Sequence, residues 1–580
     1  MISLYALYNK VFWSMKVLFL FICISITPVF AQTIRKENLT KKVANHYDFQ
    51  KTKLESEGAY YKDALGETNE KHGKWLYYDK NGVEIEERNY YRGKLNGAVL
   101  AYFSNRQKRS EGYFKLDKQD SVFREWNEFG ALQLDGYFKL GKPFGVWKTY
   151  YLSGQQQKTE EILDSTVYVQ AFWLDDSLHT QTINNGSGNL TVYYNTGMLK
   201  EQYAYKDGLK NGSFIEKSIY GHTLLTGKFV NGIKDSTWNY YYYTGPLEKI
   251  SNYSNGKLHG AYAYYYDNKQ LNVEGHYKNG EKSGHWIWYN NKGIKDQEGD
   301  FENGKQHGNW TFYYPTGEVS YTAVFDHDKK TGTWNYFYKD GSAFKKGNFA
   351  NDEKNGLWET WYEDGTLLMK GNYKNGKEQG IWVNNWENGK AKNIATFTNG
   401  QLNGRWVSYF PTGNLKLEGT YKNGYKVKAW TTYFDNGKIQ DLFTYKVVTK
   451  KTKHIDYGPL KDFKTQESIK NGDSESYSQK DYKKIEEGSY KNGEKNGVWY
   501  TYWPGGKIPS NITSYKMGKL DGKSVEYDRR GNIMSEVNYL DGLKHGKMKL
   551  YDKKGKVIKE MNFENGQQVG IGGNSSFNPR

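Results

Sequence analysis

The sequence is built on a repeat with a period of 24 residues, and this period constrains the fold more than any other feature. The segment from Tyr277 to Gly299 reads YKNGEKSGHWIWYNNKGIKDQEG, and similar segments begin at Tyr373 and Tyr490. We define the slot of Trp286 as the marker slot. Tyr262 holds this slot in one repeat, and the structural repeat aromatics that hold it in others are Trp238, Trp286, Trp310, Trp334, Trp358, Trp382, Trp406 and Trp430.

Each repeat carries two turn signals at fixed distances from the marker slot. One is an Asn-Gly pair, such as Asn279-Gly280. Both of its residues tolerate positive φ, so this pair is the strongest short signal for a β-hairpin. The other ends in a glycine seven residues after the marker, as in YYPTG at Tyr313 to Gly317, which suits a tight turn.

The segments between these turns are rich in Trp, Tyr, Phe, Val and Thr and have the length of strands. A lone hairpin cannot bury its aromatic face, whereas a stack of hairpins can. The sequence therefore predicts an all-β fold: an elongated, solenoid-like antiparallel sheet of about 18 or more stacked 24-residue β-hairpins.

Side chains alternate across a strand, so each strand presents two different faces. Trp310 and Phe312 should share one face, and Thr311 and Tyr313 the other. A small residue such as Gly299 recurs on the returning strand, where it would leave room for a neighbouring tryptophan ring.

The repeat pattern weakens in two places, which sets the expected domain boundaries. The predicted segments are a signal peptide at 1–31, an N-terminal leader or cap at 32–57, repeats at 58–160, a degenerate repeat or hinge at 161–185, repeats at 186–440, degenerate repeats or a hinge at 441–487, repeats at 488–570 and a tail at 571–580.

The N-terminus is typical of a secretory signal. Lys16 precedes a short apolar run from Val17 to Ile26, and cleavage is expected after Ala31. The sequence leaves open whether the chain starts at Met1 or Met15. Export predicts a periplasmic, outer-surface or extracellular location. The only cysteine, Cys23, lies within the signal, so the mature chain would have neither disulfides nor thiolate metal sites.

The repeat resembles a known family. The segments FENGKQHGNW (Phe301 to Trp310), YSNGKLHGAY (Tyr253 to Tyr262) and TNEKHGKW (Thr68 to Trp75) resemble the membrane occupation and recognition nexus repeat, MORN. The bacterial variant of that repeat, often labelled antitoxin-like, is more similar. The resemblance covers roughly residues 58–160, 186–440 and 488–570. It implies stacked hairpins that act as scaffolds or binding surfaces, some of them near membranes.

Candidate catalytic residues do not converge in the sequence. His72, His259, His307 and His545 share the slot three residues before the marker, and a turn-structuring role is expected for them. Two strand pairs separate His259 from His307, which corresponds to about 19 Å and is too far for a shared metal. Recurring glutamates such as Glu298 are expected to pair with neighbouring lysines. The sequence thus predicts no enzyme, no catalytic site, no metal and no cofactor.

The marker aromatics are expected to form the core, so the opposite face is the more promising surface for a ligand. A single-layer sheet cannot cover both faces, and a large exposed aromatic surface marks an interaction site. Such rings can stack on sugars or on nucleobases. The candidate ligand-surface aromatics are Tyr241, Tyr265, Tyr289, Tyr313, Trp361 and Tyr409.

These features predict a non-enzymatic, secreted scaffold or binding surface at a bacterial cell envelope. Its partner would be a protein or an envelope polymer. The net charge of +17 also permits a membrane surface, or reflects only solvated lysines on turns. Nucleic acid is disfavoured by export. Two alternatives stay open: a carbohydrate- or envelope-polymer-binding module that uses an aromatic ladder, and an antitoxin-like or immunity protein that binds a toxin.

Overall fold

The computed structural model describes residues 39–454 and 461–570. Over these residues the chain folds into strands and turns, without a helix. Consequently the described part holds no helix of the length and hydropathy needed to cross a membrane. The predicted signal peptide and the predicted tail lie outside the described residues.

The chain divides into two units, Met1–His259 and Gly260–Arg580, with the boundary inside β20. The strands that begin in the first unit are β1 Val43–His46, β2 Leu54–Asp63, β3 Gly66–Tyr78, β4 Glu84–Tyr91, β5 Lys94–Tyr102, β6 Lys108–Lys115, β7 Lys118–Trp126, β8 Leu132–Lys139, β9 Lys142–Pro143, β10 Gly145–Tyr150, β11 Gln156–Leu163, β12 Thr166–Trp173, β13 Gln181–Asn184, β14 Ser187–Tyr193, β15 Leu199–Lys206, β16 Leu209–Lys217, β17 Thr223–Val230, β18 Ile233–Tyr241, β19 Leu247–Ser254 and β20 Lys257–Tyr265.

The strands of the second unit are β21 Leu271–Lys278, β22 Glu281–Tyr289, β23 Lys295–Glu302, β24 Lys305–Tyr313, β25 Val319–Asp326, β26 Lys329–Phe337, β27 Ala343–Ala350, β28 Glu353–Lys354, β29 Gly356–Trp361, β30 Leu367–Lys374, β31 Lys377–Asn385, β32 Ala391–Thr398, β33 Gln401–Tyr409, β34 Leu415–Lys422, β35 Tyr425–Tyr433, β36 Ile439–His454, β37 Lys461–Tyr477, β38 Lys484–Lys491, β39 Glu494–Tyr502, β40 Pro509–Lys516, β41 Lys519–Tyr527, β42 Ile533–Leu540, β43 Leu543–Lys544, β44 Gly546–Tyr551, β45 Val557–Glu564 and β46 Gln567–Val569.

Each strand pairs antiparallel with the next one along the chain, so local hairpins build the sheet. β23 pairs with β24 and β24 with β25, for example, with Trp310 opposite both Gly299 and Ala323. The exceptions are β8, β27 and β42, each of which pairs with two short pieces of the following strand. The prediction of an all-β array of stacked hairpins is confirmed.

The Asn-Gly pairs form the tight turns that the sequence predicts. Between β23 and β24, Asn303 has φ 49° and Gly304 has φ 78°. Positive φ at both central residues belongs to the type I′ turn, whose twist matches that of the flanking strands. At the other end of the hairpin, Gly317 takes φ 108° and donates its N–H to the Tyr314 carbonyl at 2.9 Å.

Hydrogen bonds from turn residues to strands of adjacent repeats join neighbouring repeats at both ends of the strands. At one end, the Gly304 N–H donates to the Lys282 carbonyl of the preceding repeat at 3.0 Å. At the other, the Tyr314 hydroxyl donates to the Phe337 carbonyl of the following repeat at 2.7 Å. The second contact recurs from Tyr266, Tyr338 and Tyr362. These bonds give the aromatic residue four places after the marker a structural role that the sequence analysis did not assign.

The segments with a weak repeat pattern also form strands. Residues 161–185 contribute to β11, β12 and β13, and Val169 and Ile183 form a small aliphatic core with Leu190 of β14. Residues 441–487 include most of one long hairpin, formed by β36 and β37. Part of the predicted leader, residues 39–57, supplies β1 and the start of β2. Hinge behaviour in these segments stays a prediction.

Candidate binding surface

The marker residues lie on what we define as the first face of the sheet. Seven of the eight marker tryptophans are buried, from Trp238 at 0% exposed to Trp334 and Trp382 at 5%, whereas Trp406 is half-buried. In the second unit, Trp310 and Trp334 pack with Ala323 and Phe325, surrounded by further half-buried rings. The residues of the marker slot therefore belong to the core and are poorly exposed for contact with a ligand.

Most of these indoles pack directly against a glycine of the neighbouring strand. A Cβ added at Gly299 would lie 2.2 Å from Cδ2 of Trp310, closer than atoms can approach. The ring therefore rests directly on the glycine, and its Nε1 donates to the Asp300 carbonyl at 3.2 Å. Equivalent bonds form from Trp238, Trp286, Trp358, Trp430 and Trp499. The Nε1 atoms of Trp147, Trp334 and Trp382 are buried without a hydrogen-bond partner.

A second row of rings lies beside the marker residues on the first face. We define the aromatic strip as Trp288, Phe312, Tyr321 and Tyr336, all half-buried. Ring centroids are 4.2 Å apart for Phe312 and Tyr321 and 5.5 Å apart for Tyr321 and Tyr336. Trp288 reaches the strip through the marker ring of Trp310, at 5.7 Å. Phe312, Tyr321 and Tyr336 thus form a continuous stack of half-buried rings, and the buried ring of Trp310 joins Trp288 to it.

The sequence analysis did not propose the aromatic strip, although the sequence contains its signal. Two residues after the marker, Trp288, Phe312 and Tyr336 are aromatic, whereas Thr360 and Asn384 are not. The first face therefore differs between repeats beside a marker slot that stays aromatic from Trp238 to Trp430. A comparison of slots along the chain, as well as within one repeat, would have located the strip.

A lysine lies over the rings at the start of the strip. The Nζ of Lys282 is 4.5 Å from the centroid of Trp286, 5.0 Å from that of Trp288 and 4.9 Å from that of Phe301. Burial among these rings lowers the pKa of Lys282. Its ammonium group lies over Trp288, the first ring of the strip, and places a positive charge at that end of the strip.

The six predicted ligand-surface aromatics lie on the second face, which we define as the side opposite the marker tryptophans. All six are half-buried. Tyr265, Tyr289 and Tyr313 belong to consecutive repeats, so neighbours should be spaced by two strands, or about 10 Å. Trp361 and Tyr409 follow at intervals of two repeats. Tyr241 belongs to the first unit. The structure therefore places those of the second unit in a row and does not gather them in one pocket.

Glutamates hold two of the tyrosines of this row. The Tyr289 hydroxyl donates to Glu274 Oε1 at 2.8 Å, and the Tyr313 hydroxyl donates to Glu298. Burial and the adjacent carboxylate together raise the pKa of each tyrosine to about 12. The same pairing joins Tyr433 to Glu418. The rings are consequently fixed in place and their hydroxyls stay neutral at physiological pH.

The recurring glutamates contact both the expected cationic side chains and the tyrosines, as Glu298 shows. Glu298 lies 2.8 Å from Lys295 Nζ and also contacts His285 and Tyr313. Burial by itself would raise the pKa of Glu298, but its hydrogen bonds from Lys295, Tyr313 and His285 outweigh burial and lower it. Glu298 is thus held as an ionised partner in a polar network. We assign it a structural role.

The histidines three residues before the marker have different surroundings. His72 is buried, and its Nδ1 accepts the Arg92 backbone N–H at 3.0 Å, which fits the predicted turn-structuring role. Burial lowers the pKa of His72. His307 instead lies beside His327, with ring centroids 5.1 Å apart. His327 holds a different slot of the repeat from His259 and His307, so the repeat pattern alone does not predict this proximity.

The fold and its two faces define a β-hairpin repeat protein with open, aromatic-rich surfaces. The family model of the MORN repeat variant matches residues 258–279, 306–327, 354–375, 402–423, 426–446, 520–541 and 544–565. The chain therefore carries MORN-variant repeats between residues 258 and 565, and the resemblance seen in the sequence is confirmed. No curated protein matches the chain.

Some solved toxin structures align with the chain at low similarity. The crystal structure of TcdB2-TccC3-Cdc42 is 11% identical, with 85% of this chain and 26% of that chain covered and a TM-score of 0.11. A structure of the Photorhabdus luminescens Tc holotoxin pore is 10% identical, with 91% and 30% covered and a TM-score of 0.12. The chain spans less than a third of the length of either. At these TM-scores the alignments carry no argument about fold or function.

Proposed function

We propose that this chain is a non-enzymatic, exported binding scaffold at a bacterial cell envelope and that its second face binds a protein partner. Two neighbouring half-buried tyrosines of that face, Tyr289 and Tyr313, are held by glutamates, and this pair carries the proposal. The recurring glutamates serve as partners of tyrosine and cationic side chains, which supports a structural role for them rather than a catalytic one.

The second face suits a protein partner because its rings are ordered before any partner arrives. Tyrosine provides a large contact area and has few rotatable bonds to immobilise. The Tyr313–Glu298 bond restricts the ring further, which lowers the entropic cost of association. A stable interface buries roughly 800 Å² on each partner, so it would extend over several repeats.

The aromatic strip supports a second candidate function, the binding of an envelope carbohydrate polymer. Phe312, Tyr321 and Tyr336 form a row of half-buried stacked rings on which sugar rings could stack. Trp288 extends this row beyond the buried ring of Trp310. Lys282 adds a positive charge for an anionic polymer. A toxin bound by an antitoxin-like or immunity protein would be a particular case of the protein partner.

Cosedimentation of the mature chain with isolated envelope material tests both functions, with and without protease treatment of that material. The second-face variant combines Tyr289→Asn and Tyr313→Asn, because Asn385 holds the same slot in another repeat. The first-face variant is Trp288→Thr, because Thr360 holds that slot. Both substitutions should preserve the hairpins.

We expect protease treatment to abolish binding and Trp288→Thr to bind normally. The second-face variant should bind at least about tenfold more weakly, since central aromatic residues of an interface commonly contribute more than about 1.4 kcal/mol. Binding that survives protease and falls with Trp288→Thr would replace this proposal with the polymer function. An absence of binding to any envelope preparation would refute a role at the envelope.

A further inference from the structure

Three side chains of adjacent repeats converge at one end of the hairpins of the second unit. They are Glu302 at the end of β23, His307 in β24 and His327 in the turn after β25. One nitrogen or oxygen atom from each lies within 4.8 Å of the others. Nε2 of His307 is 3.6 Å from Glu302 Oε2, and Nε2 of His327 is 3.8 Å from the same oxygen. Ligand atoms around a tetrahedral zinc ion lie roughly 3.4 Å apart, so small side-chain adjustments would complete the geometry.

Asp326 holds the imidazole of His327 by a hydrogen bond and lies close to that of His307. Its Oδ1 lies 2.6 Å from Nδ1 of His327 and 3.4 Å from Nδ1 of His307. A carboxylate that accepts a hydrogen bond from Nδ1–H leaves the lone pair on Nε2 free, and metal-binding histidines are commonly held in this way. Nδ1 of His307 is buried and makes no hydrogen bond, so the present contact with Asp326 leaves it unsatisfied.

The turn that carries His327 departs from the repeat in a way that supplies a ligand. His327 has φ 49° in a slot where Asn303 and Asn351 hold the preceding and following turns, also at φ 49°. Histidine is uncommon in this left-handed conformation, although it is tolerated there better than most residues. This change of residue brings a second imidazole next to His307.

We propose that Glu302, His307 and His327 form a site for one divalent transition-metal ion, best suited to zinc, with Asp326 as the positioning residue. Two imidazole nitrogens and one carboxylate oxygen are ligands that zinc favours, whereas calcium and magnesium prefer oxygen ligands alone. Solvent would complete the coordination. The ion would connect the ends of two consecutive hairpins.

The test is titration of the mature chain, purified without a polyhistidine tag, with zinc chloride in a calorimeter. Cobalt(II) absorption would report the coordination geometry. We expect one saturable equivalent of zinc. His307→Asn and His327→Asn should each lower the affinity by at least about 100-fold, the upper end of the effect of losing an outer hydrogen bond. Asp326→Asn should lower it about 10- to 100-fold.

The repeat supplies substitutions that preserve the fold. Asn355 holds the slot of His307, Asn303 that of His327 and Ala350 that of Glu302, so His307→Asn, His327→Asn and Glu302→Ala introduce residues that other repeats already use. His285→Asn is the matched control, because His285 also contacts two carboxylates but lies outside the cluster.

The control should bind zinc as the unchanged chain does. The proposal is overturned if the unchanged chain shows no saturable binding of one equivalent. It is also overturned if all three ligand variants keep full affinity, or if His285→Asn weakens binding as much as they do. Circular dichroism of each variant confirms that any lost affinity reflects a lost ligand. Because the readout is metal binding, its failure would leave the proposed scaffold function untouched.

Discussion

Replacing Gly299 with alanine tests whether the marker tryptophan depends on a bare backbone beneath it. The new Cβ would lie 2.2 Å from Cδ2 of Trp310, so either the ring or the strand must move. Trp310 is only 1% exposed, and its neighbours leave little room for this movement. We expect the indole to tilt away and to lose the hydrogen bond from its Nε1 to the Asp300 carbonyl.

The expected cost combines overpacking with a lost hydrogen bond. Overpacking of a core costs about 1–3 kcal/mol, and a buried donor left without a partner costs about 1–3 kcal/mol. Because one shift of the ring causes both effects, we expect a total near 3 kcal/mol. Each 1.4 kcal/mol corresponds to about a factor of ten, so local opening of β23 and β24 should become roughly 100-fold more frequent.

Native-state hydrogen exchange of the mature chain measures this local opening. Repeats interact mainly with their neighbours, so the faster exchange should stay confined to peptides near β23 and β24. Ala323→Gly is the control, because it removes a methyl group from the same slot and should cost no more than about 1 kcal/mol. Unchanged exchange in the Gly299→Ala variant, or equal acceleration in the control, would refute the inference that the Trp310 indole needs a glycine at position 299.

Further predictions concern the tyrosines and the N-terminus. Tyr313→Phe should remove one tyrosine from the class that ionises near pH 12 in an absorbance titration. The pKa of Tyr313 in the folded protein lies above the ordinary tyrosine value of about 10. The stability that the neutral hydroxyl contributes is therefore complete below about pH 10 and is lost as the pH rises through about 12. Titration of Tyr313 near pH 10 would contradict this. Tyr314→Phe should cost about 0.5–1.5 kcal/mol and speed exchange near Phe337, whose carbonyl loses its donor, and unchanged exchange there would contradict a stabilising role. N-terminal sequencing of exported protein should read from Gln32, and an uncut chain would contradict the signal peptide.

The period of the sequence determined most of the fold. A turn signal at a fixed distance from an alternating aromatic strand specifies a hairpin, and 24 residues leave room for little else. The long hairpin of β36 and β37 was not predicted, because the Asn-Gly pair of that segment, Asn471-Gly472, lies inside β37 and does not mark the turn between the two strands. The bonds between tyrosine and glutamate were also missed. They join residues 15 positions apart on neighbouring strands, and one repeat read by itself does not show that proximity.

Repetition itself explains why the histidine cluster escaped the sequence analysis. Residues in the same slot of different repeats lie at least one full repeat apart, so a comparison of like with like, such as His259 with His307, always finds them distant. Close groups come from different slots that strand pairing brings together: His307 lies opposite Asp326 because Gly308 pairs with Phe325. A binding site in such a fold therefore requires a residue that differs from the repeat pattern. That residue must lie next to another side chain that can also bind the ligand. His327 is such a departure, since it replaces a turn asparagine beside His307. New binding groups can arise at turns in this way while the marker residues stay buried in the core.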